Sequence, residues 1–325
     1  MILAGDIGGT KTVLALIERD EEGLVISRED TYPSGEFASF DALLDVFLPD
    51  RQDITSACFG IAGPVLNQCC VTTNLPWQMD GKALQARLGT PRVRLLNDLE
   101  AMALGMLQLD ASDILELNPD ADPQPGNMAV IAAGTGLGEA LLYWDGTQHH
   151  AVATEGGHAD LAARSPQQDA LITYLRQRYP DHVSCERIVS GNGFSLLYDF
   201  LVDSGTVPPC PAVPSRASAA GVDRNAVISR LGVSDEDAAC REAVRLFVEI
   251  YAAEAGNLAL KTLSVGGVYI GGGIGPKIRP MLETGAFMQA FAAKGRFRSL
   301  LARMPVRLAL NPRTPLLGAI HYRHC

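Results

Sequence analysis

Gly5-Asp6-Ile7-Gly8-Gly9-Thr10-Lys11-Thr12 is the stretch that decides the fold, because of what stands on either side of it. Ile2-Leu3-Ala4 precedes it, Val13-Leu14-Ala15-Leu16-Ile17 follows it, and the polar turn Glu18 to Gly23 closes the second run. A glycine-rich turn between two apolar, β-rich runs predicts a hairpin leading to a third strand at Leu24-Val25-Ile26. The commoner phosphate loops need a helix directly after their glycines, so that the anion sits on the helix N-terminus. Val13 to Ile17 is too short and too strand-like for that. Asp6 ends an otherwise apolar strand, where a carboxylate is expensive to bury unless a cation or a set of donors compensates it. A metal-bound phosphate would do so. Gly8 and Gly9 let a ligand approach the backbone N–H groups, Thr10 and Thr12 can add hydroxyls, and Lys11 adds a point charge.

The pattern recurs. Met128-Ala129-Val130-Ile131-Ala132, then Ala133-Gly134-Thr135-Gly136-Leu137-Gly138, then Glu139 to Trp144 repeat strand, turn and strand, and Asp145-Gly146 supplies the next hairpin turn. Two such units in one chain look like a duplication in which each domain contributes one phosphate-facing hairpin. Between them, Asp110 to Gly126 is rich in Asp and Pro and marks the crossing from the first domain to the second. Ser234-Asp235-Glu236 offers a capped, acidic start to a long amphipathic helix running toward Leu260. Val207 to Gly221, rich in Pro, Ser and Ala, reads as a surface loop.

With 325 residues, 47% of them hydrophobic, the chain can bury two cores. A net charge of -10 disfavours partners that demand clustered Lys and Arg, nucleic acids above all. The N-terminal residues lack the basic start and apolar run of a signal peptide, and no stretch approaches the roughly 18 apolar residues of a membrane span. The expectation is therefore a cytoplasmic protein with small-molecule partners, no nucleic acid and no membrane. Seven cysteines (Cys58, Cys69, Cys70, Cys185, Cys210, Cys240 and Cys325) form no CxxC pair and no metal-ligand set in the sequence, so they read as free, mostly buried thiols.

Gly5 to Lys11 and Ala133 to Gly138 resemble the two phosphate motifs of the sugar kinase and actin-like ATPase superfamily. Val265-Gly266-Gly267-Val268-Tyr269-Ile270-Gly271-Gly272-Gly273-Ile274 resembles its adenosine motif. The order of the three, from Gly5 to about Gly318, is similar to that of the zinc-free branch, the bacterial glucokinases. The resemblance implies an α/β, two-domain actin-like (ribonuclease-H-like) fold with a mixed sheet in each domain and an interdomain cleft. Residues 1–110, completed by a C-terminal helix over 305–325, would form the small domain, and 111–304 the large one. It further implies ATP with Mg2+, held by Gly5, Asp6, Ile7, Gly8, Gly9, Thr10, Lys11, Gly134, Thr135, Gly136, Gly272 and Gly273, with Asp6 next to the metal, and a homodimer.

On the substrate side, Val93 to Leu96 reads as a strand and Asn97-Asp98 as the start of a helix, where Asn is an ordinary N-cap. The resemblance instead makes Asn97 a sugar ligand and Asp98 the general base toward glucose. It adds Glu155 and His158 of Glu155-Gly156-Gly157-His158, and Glu186, as partners of the sugar hydroxyls. Two glycines within that Glu-x-x-His spacing argue against a helical metal site. The cysteine cluster that zinc-binding relatives carry just after this segment is missing, since Ala159 to Arg164 stands there. A kinase for another hexose or an N-acetylhexosamine, a polyphosphate donor, a sugar-sensing repressor and an actin-like assembly ATPase are the alternatives. The repressor lacks room for a helix-turn-helix before Ile2. An assembly ATPase has no use for the Asn-Asp and Glu-x-x-His residues.

Overall fold

A computed structural model describes residues 1–21, 23–50, 53–72, 75–216 and 221–322; Cys325 and part of the loop expected over 207–221 lie outside the described residues. The chain divides into two units, Met1–Asp113 with His150–Ala153 and Asn311–Cys325, and Ile114–His149 with Thr154–Leu310.

In the first unit, β1 (Ile2–Ile7) and β2 (Lys11–Arg19) form the expected hairpin and β3 (Leu24–Pro33) extends it. β4 (Ser56–Ile61) lies parallel to β1 on its other side. After a small antiparallel sheet of β5 (Val65–Leu66), β6 (Cys69–Val71) and β7 (Gln78–Asp80), β8 (Val93–Asn97) adds in parallel, giving the order β3-β2-β1-β4-β8. One face of this sheet buries Leu3, Leu14, Phe59 and Leu95 against the helix Phe40–Phe47. The other buries Ala4, Ala15, Cys58 and Leu96 against Leu316, Ala319 and Ile320 of the C-terminal helix. That helix spans Thr314–Ile320, shorter than the 305–325 expected, because Val306–Ala309 is drawn into a strand of the other sheet. It crosses the helix Asp98–Met106 at very short range. A Cβ on Gly105 would stand 1.8 Å from the Thr314 carbonyl oxygen, and one on Gly318 would stand 1.8 Å from that of Ala101.

The second unit repeats the scheme. β9 (Ile114–Glu116) is an edge strand, β10 (Met128–Ala133) and β11 (Leu137–Trp144) form the second hairpin, and β12 (His149–Thr154) flanks it. β13 (Gly267–Gly271) and β14 (Val306–Ala309) continue in parallel beyond β10, giving β12-β11-β10-β13-β14-β9. Hairpin, outer strand and two parallel neighbours thus recur in the same order in both sheets, and the hairpins are the ones that the paired motifs predicted. The core centres on the helix Ala238–Thr262, with Phe247, Ile250 and Tyr251 buried. This helix begins after Asp237, not at Ser234. Ser234 instead closes the helix Arg224–Val233, Asp235 takes a positive φ of 59°, and the Asp237 carboxylate accepts the Cys240 N–H at 2.8 Å as the true cap.

Candidate active site

The first unit assembles one set of groups at the carboxyl ends of β1, β4 and β8. In the turn 8–10, the Gly8 N–H donates to the Lys11 carbonyl at 3.0 Å, and the Ser34 N–H to that of Thr10 at the same distance. The Ser34 hydroxyl donates to the Gly8 carbonyl at 2.7 Å and lies 2.9 Å from the Thr12 hydroxyl. Thr12 is fully buried, so it braces the turn and presents no hydroxyl outward as its sequence position suggested; Thr10 is exposed. Ser34, which no sequence motif marks, holds the turn's shape. Gly5 is a packing residue, since a Cβ there would meet Leu14 and Phe59 within 2.9 Å. Ile7 is likewise buried in the core, its backbone carbonyl accepting from the Ala62 N–H at 3.0 Å. Gly9 and Lys11 stand at the open side of the turn. Burial pushes the Asp6 carboxyl up to about 6, and the Lys11 charge pulls the other way.

Asp6 is the register partner of Gly60 on β4, and a Cβ on Gly60 would stand 4.0 Å from the Asp98 Cα. Both carboxylates therefore sit at the same end of the sheet, where ligands gather in parallel α/β folds. Asn97 is the N-cap, as its sequence position suggests. Its Oδ1 accepts the Leu99 N–H at 2.9 Å and its Nδ2 donates to the Gly63 carbonyl at 3.1 Å, tying the cap to the loop that follows β4. Asp98 Oδ1 accepts the same Leu99 N–H at 2.9 Å, which fixes the orientation of the carboxylate. The buried Cys70 thiol beside it is pushed up by burial and by the charge of Asp98.

The second unit assembles the other set. Gly134 N–H donates to Gly136 O at 2.9 Å, and Gly191 N–H to Gly134 O at 2.8 Å, so the loop after Ser190 supports the second turn. Gly272 has φ +80°, and a Cβ there would lie 2.2 Å from the Ala133 carbonyl oxygen, so only glycine fits. Gly273 faces open space. Beside this turn a cavity of about 280 Å³ is lined by Thr135, Asn192, Phe194, Asn225, Ser229 and Lys277 among others. Of these, only Thr135 belongs to a sequence motif; the rest come from helices and loops without one.

Glu155 and His158 are exposed on a short turn of 3-10 helix, Gly156–His158. Leu161 N–H donates to Val183 O and Cys185 N–H to Ala159 O, both at 2.9 Å, which brings this segment alongside Glu186. Glu186 also accepts the Leu137 N–H at 3.0 Å, so it links the segment to the turn 134–136. Behind Gly156 lies Glu139, 2% exposed, its Oε1 without a hydrogen-bond partner and its Oε2 2.2 Å from where a Gly156 Cβ would be. Burial, with Glu254 adding to it and Lys261 opposing, raises the Glu139 carboxyl to about 7. A carboxyl whose pKa is raised in the folded state binds its proton more tightly there than in the unfolded chain. Its contribution to stability is complete below pH 4.5 and is lost as pH rises toward about 7. Glu139→Gln should therefore leave Tm almost unchanged in acid and raise it relative to wild type near pH 8. The slope between is at most about 1.4 kcal/mol per pH unit. Thermal melts across that range check this; parallel pH curves for the two proteins would refute it.

Two glycine-rich hairpin turns on duplicated sheets, an Asp at the first and an Asn-Asp cap beside it are the features of a sugar kinase of the two-domain actin-like ATPase fold. The family model described as Glucokinase matches residues 3–324. A glucokinase of Nostoc sp. is 40% identical over 98% of this chain and 97% of its own length, and one of Synechocystis sp. is 38% identical over 98% and 96%. Among solved structures, a glucokinase from an Antarctic psychrotroph superposes with a TM-score of 0.83 at 30% identity, covering 98% of this chain and 97% of that one. A glucokinase from Balamuthia mandrillaris in complex with glucose shares the fold, with a TM-score of 0.79 at 22% identity over 98% and 92%. The chain belongs to the glucokinase family, enzymes that phosphorylate hexoses with ATP.

Proposed function

We propose that this chain transfers the γ-phosphoryl group of ATP to the 6-hydroxyl of glucose, with Asp98 as general base. The observation that supports this most is that Asp6 on β1 and Asp98 just after β8 stand at the same end of one sheet, with β4 between them and Asp98 oriented by the Leu99 N–H. Asp98 accepts the hydroxyl proton as the O6–Pγ bond forms and the bond from Pγ to the departing ADP oxygen breaks. Phosphoryl transfer asks the protein mainly for alignment and charge stabilisation. The turns 8–10 and 134–136 receive the phosphates on N–H groups other than those of Gly8 and Gly134, which donate within their own turns, and the nucleoside occupies the cavity beside Thr135. Asp6 suits Mg2+, which is held by one or two carboxylates while keeping waters and phosphate oxygens as its other ligands. The bound ion would neutralise phosphate charge. Asn97, Glu155, His158 and Glu186 pair the sugar hydroxyls, which penalises an analogue lacking one of them. The reading includes a cytoplasmic location and a homodimer; sedimentation at micromolar concentration tests the latter.

Calorimetric titration of wild type, Glu155→Ala and His158→Ala with glucose, mannose, fructose and N-acetylglucosamine tests the assignment of the sugar. Glucose should bind most tightly. Loss of a hydrogen bond to a charged group, about 1.5–3 kcal/mol, should weaken its binding by Glu155→Ala roughly 10- to 100-fold. Tighter binding of another hexose would reassign the substrate, and an unchanged affinity in both variants would remove these residues from the sugar site.

A further inference from the structure

Cys210 and Cys240 are far apart in the sequence, but the fold sets them together with Asp237, one ligand atom from each lying within 4.8 Å of the other two. Both cysteines are buried and neither is in a disulfide. The three residues are held from independent directions. Asp237 caps the helix Ala238–Thr262 through the Cys240 N–H, and Cys210, in the loop after the helix Gly193–Asp203, donates its N–H to the Tyr198 hydroxyl at 2.7 Å. The Asp237 carboxylate accepts hydrogen bonds from the Cys240 N–H, from both thiols and from the Ala239 N–H. Two sulfurs and one oxygen are a soft donor set that suits a d¹⁰ ion and not Mg2+ or Ca2+.

We propose that Cys210, Asp237 and Cys240 form a zinc site, with Zn2+ bound by two thiolates and one carboxylate oxygen and a water completing the tetrahedron. Zn–S bonds of about 2.3 Å put the sulfurs of a tetrahedral site roughly 3.8 Å apart, which is compatible with ligand atoms that all lie within 4.8 Å of one another. The proton balance is favourable. Each thiol releases its proton to solvent as its S–Zn bond forms, so one divalent ion replaces two protons and the net charge of the buried cluster does not change. A thiolate pair that burial alone would forbid is thereby allowed. The place also gives the ion a task. The helix Arg224–Val233 rests on Cys240, since a Cβ on Gly232 would lie 2.4 Å from the Cys240 carbonyl oxygen, and the same helix contributes Asn225 and Ser229 to the cavity beside Thr135. Zinc would pin the loop carrying Cys210 to this helix junction, behind the cavity and away from the Glu155–His158 segment.

The test is metal content and Co2+ spectroscopy on full-length protein purified with neither chelator nor added metal, then stripped and titrated with Zn2+ or Co2+ alone. One zinc per chain, and a thiolate-to-cobalt charge-transfer band with tetrahedral d–d bands, are expected. Both should be lost in Cys210→Ser and in Asp237→Asn, which keeps the helix cap, and retained in Cys69→Ser, where the thiol is exposed. Stripping the metal should also lower Tm and raise the KM for ATP. Stripped wild type that takes up no Co2+, a cobalt spectrum that persists in both ligand variants, or a Cys210–Cys240 disulfide in the purified protein would each overturn the proposal.

Discussion

Asp98→Asn should retain nucleotide and glucose affinity while kcat falls by about 10²–10⁴-fold, the range expected for losing a positioned general base. A thousandfold loss corresponds to about 4 kcal/mol of transition-state stabilisation. Asparagine is the informative replacement because its Oδ1 can still accept the Leu99 N–H that orients Asp98, and the Asn97 cap on the same N–H is untouched. The helix Asp98–Met106 should therefore keep its start, and the loss can be assigned to proton acceptance. Steady-state ADP release, with calorimetric binding of both substrates as the control, separates the two effects. A parallel loss of glucose binding would make Asp98 a sugar ligand first and a base second.

The largest stability effect is expected where the C-terminal helix crosses Asp98–Met106. Gly105→Ala gains as much as about 1 kcal/mol of helix propensity, yet its Cβ would stand 1.8 Å from a backbone oxygen that cannot rotate away. The helices must separate, and Leu316, Ala319 and Ile320 lose their packing on Ala101, Leu96 and Cys58. Overpacking of this kind typically destabilises by 1–3 kcal/mol, so we expect about 3 kcal/mol for Gly105→Ala and for Gly318→Ala. Gly35→Ala, where the added Cβ meets nothing within 4 Å, is the control and should be near neutral. Denaturant melts read the difference. Equal midpoints for all three variants would show that the crossing is looser than described.

What could be read in advance followed from local chemistry. The two hairpins were legible because apolar runs flank glycine turns and no helical pattern follows, and both sheets carry them at the place that the repeat implied. Asn97 was legible as a cap, and its bonds to Leu99 and Gly63 show how one side chain serves the helix start and the loop beside it. Contacts made by chain reversal were not legible. Ser34 bracing Gly8, Glu139 behind Gly156, the helices lining the cavity beside Thr135 and the meeting of Cys210 with Cys240 all join residues whose spacing carries no period or motif. The start of the long helix was misplaced for a smaller reason. Ser234, Asp235 and Asp237 are all good cap residues, and only the positive φ at Asp235 shows which of them ends one helix and which begins the next.

The most direct test of the account is initial-rate ADP release with Mg-ATP and a panel of hexoses, with the position of the phosphate in the product read by NMR. Glucose should have the highest kcat/KM, and its product should carry phosphate on O6. Turnover that does not depend on any sugar, or a clear preference for another hexose, would contradict it.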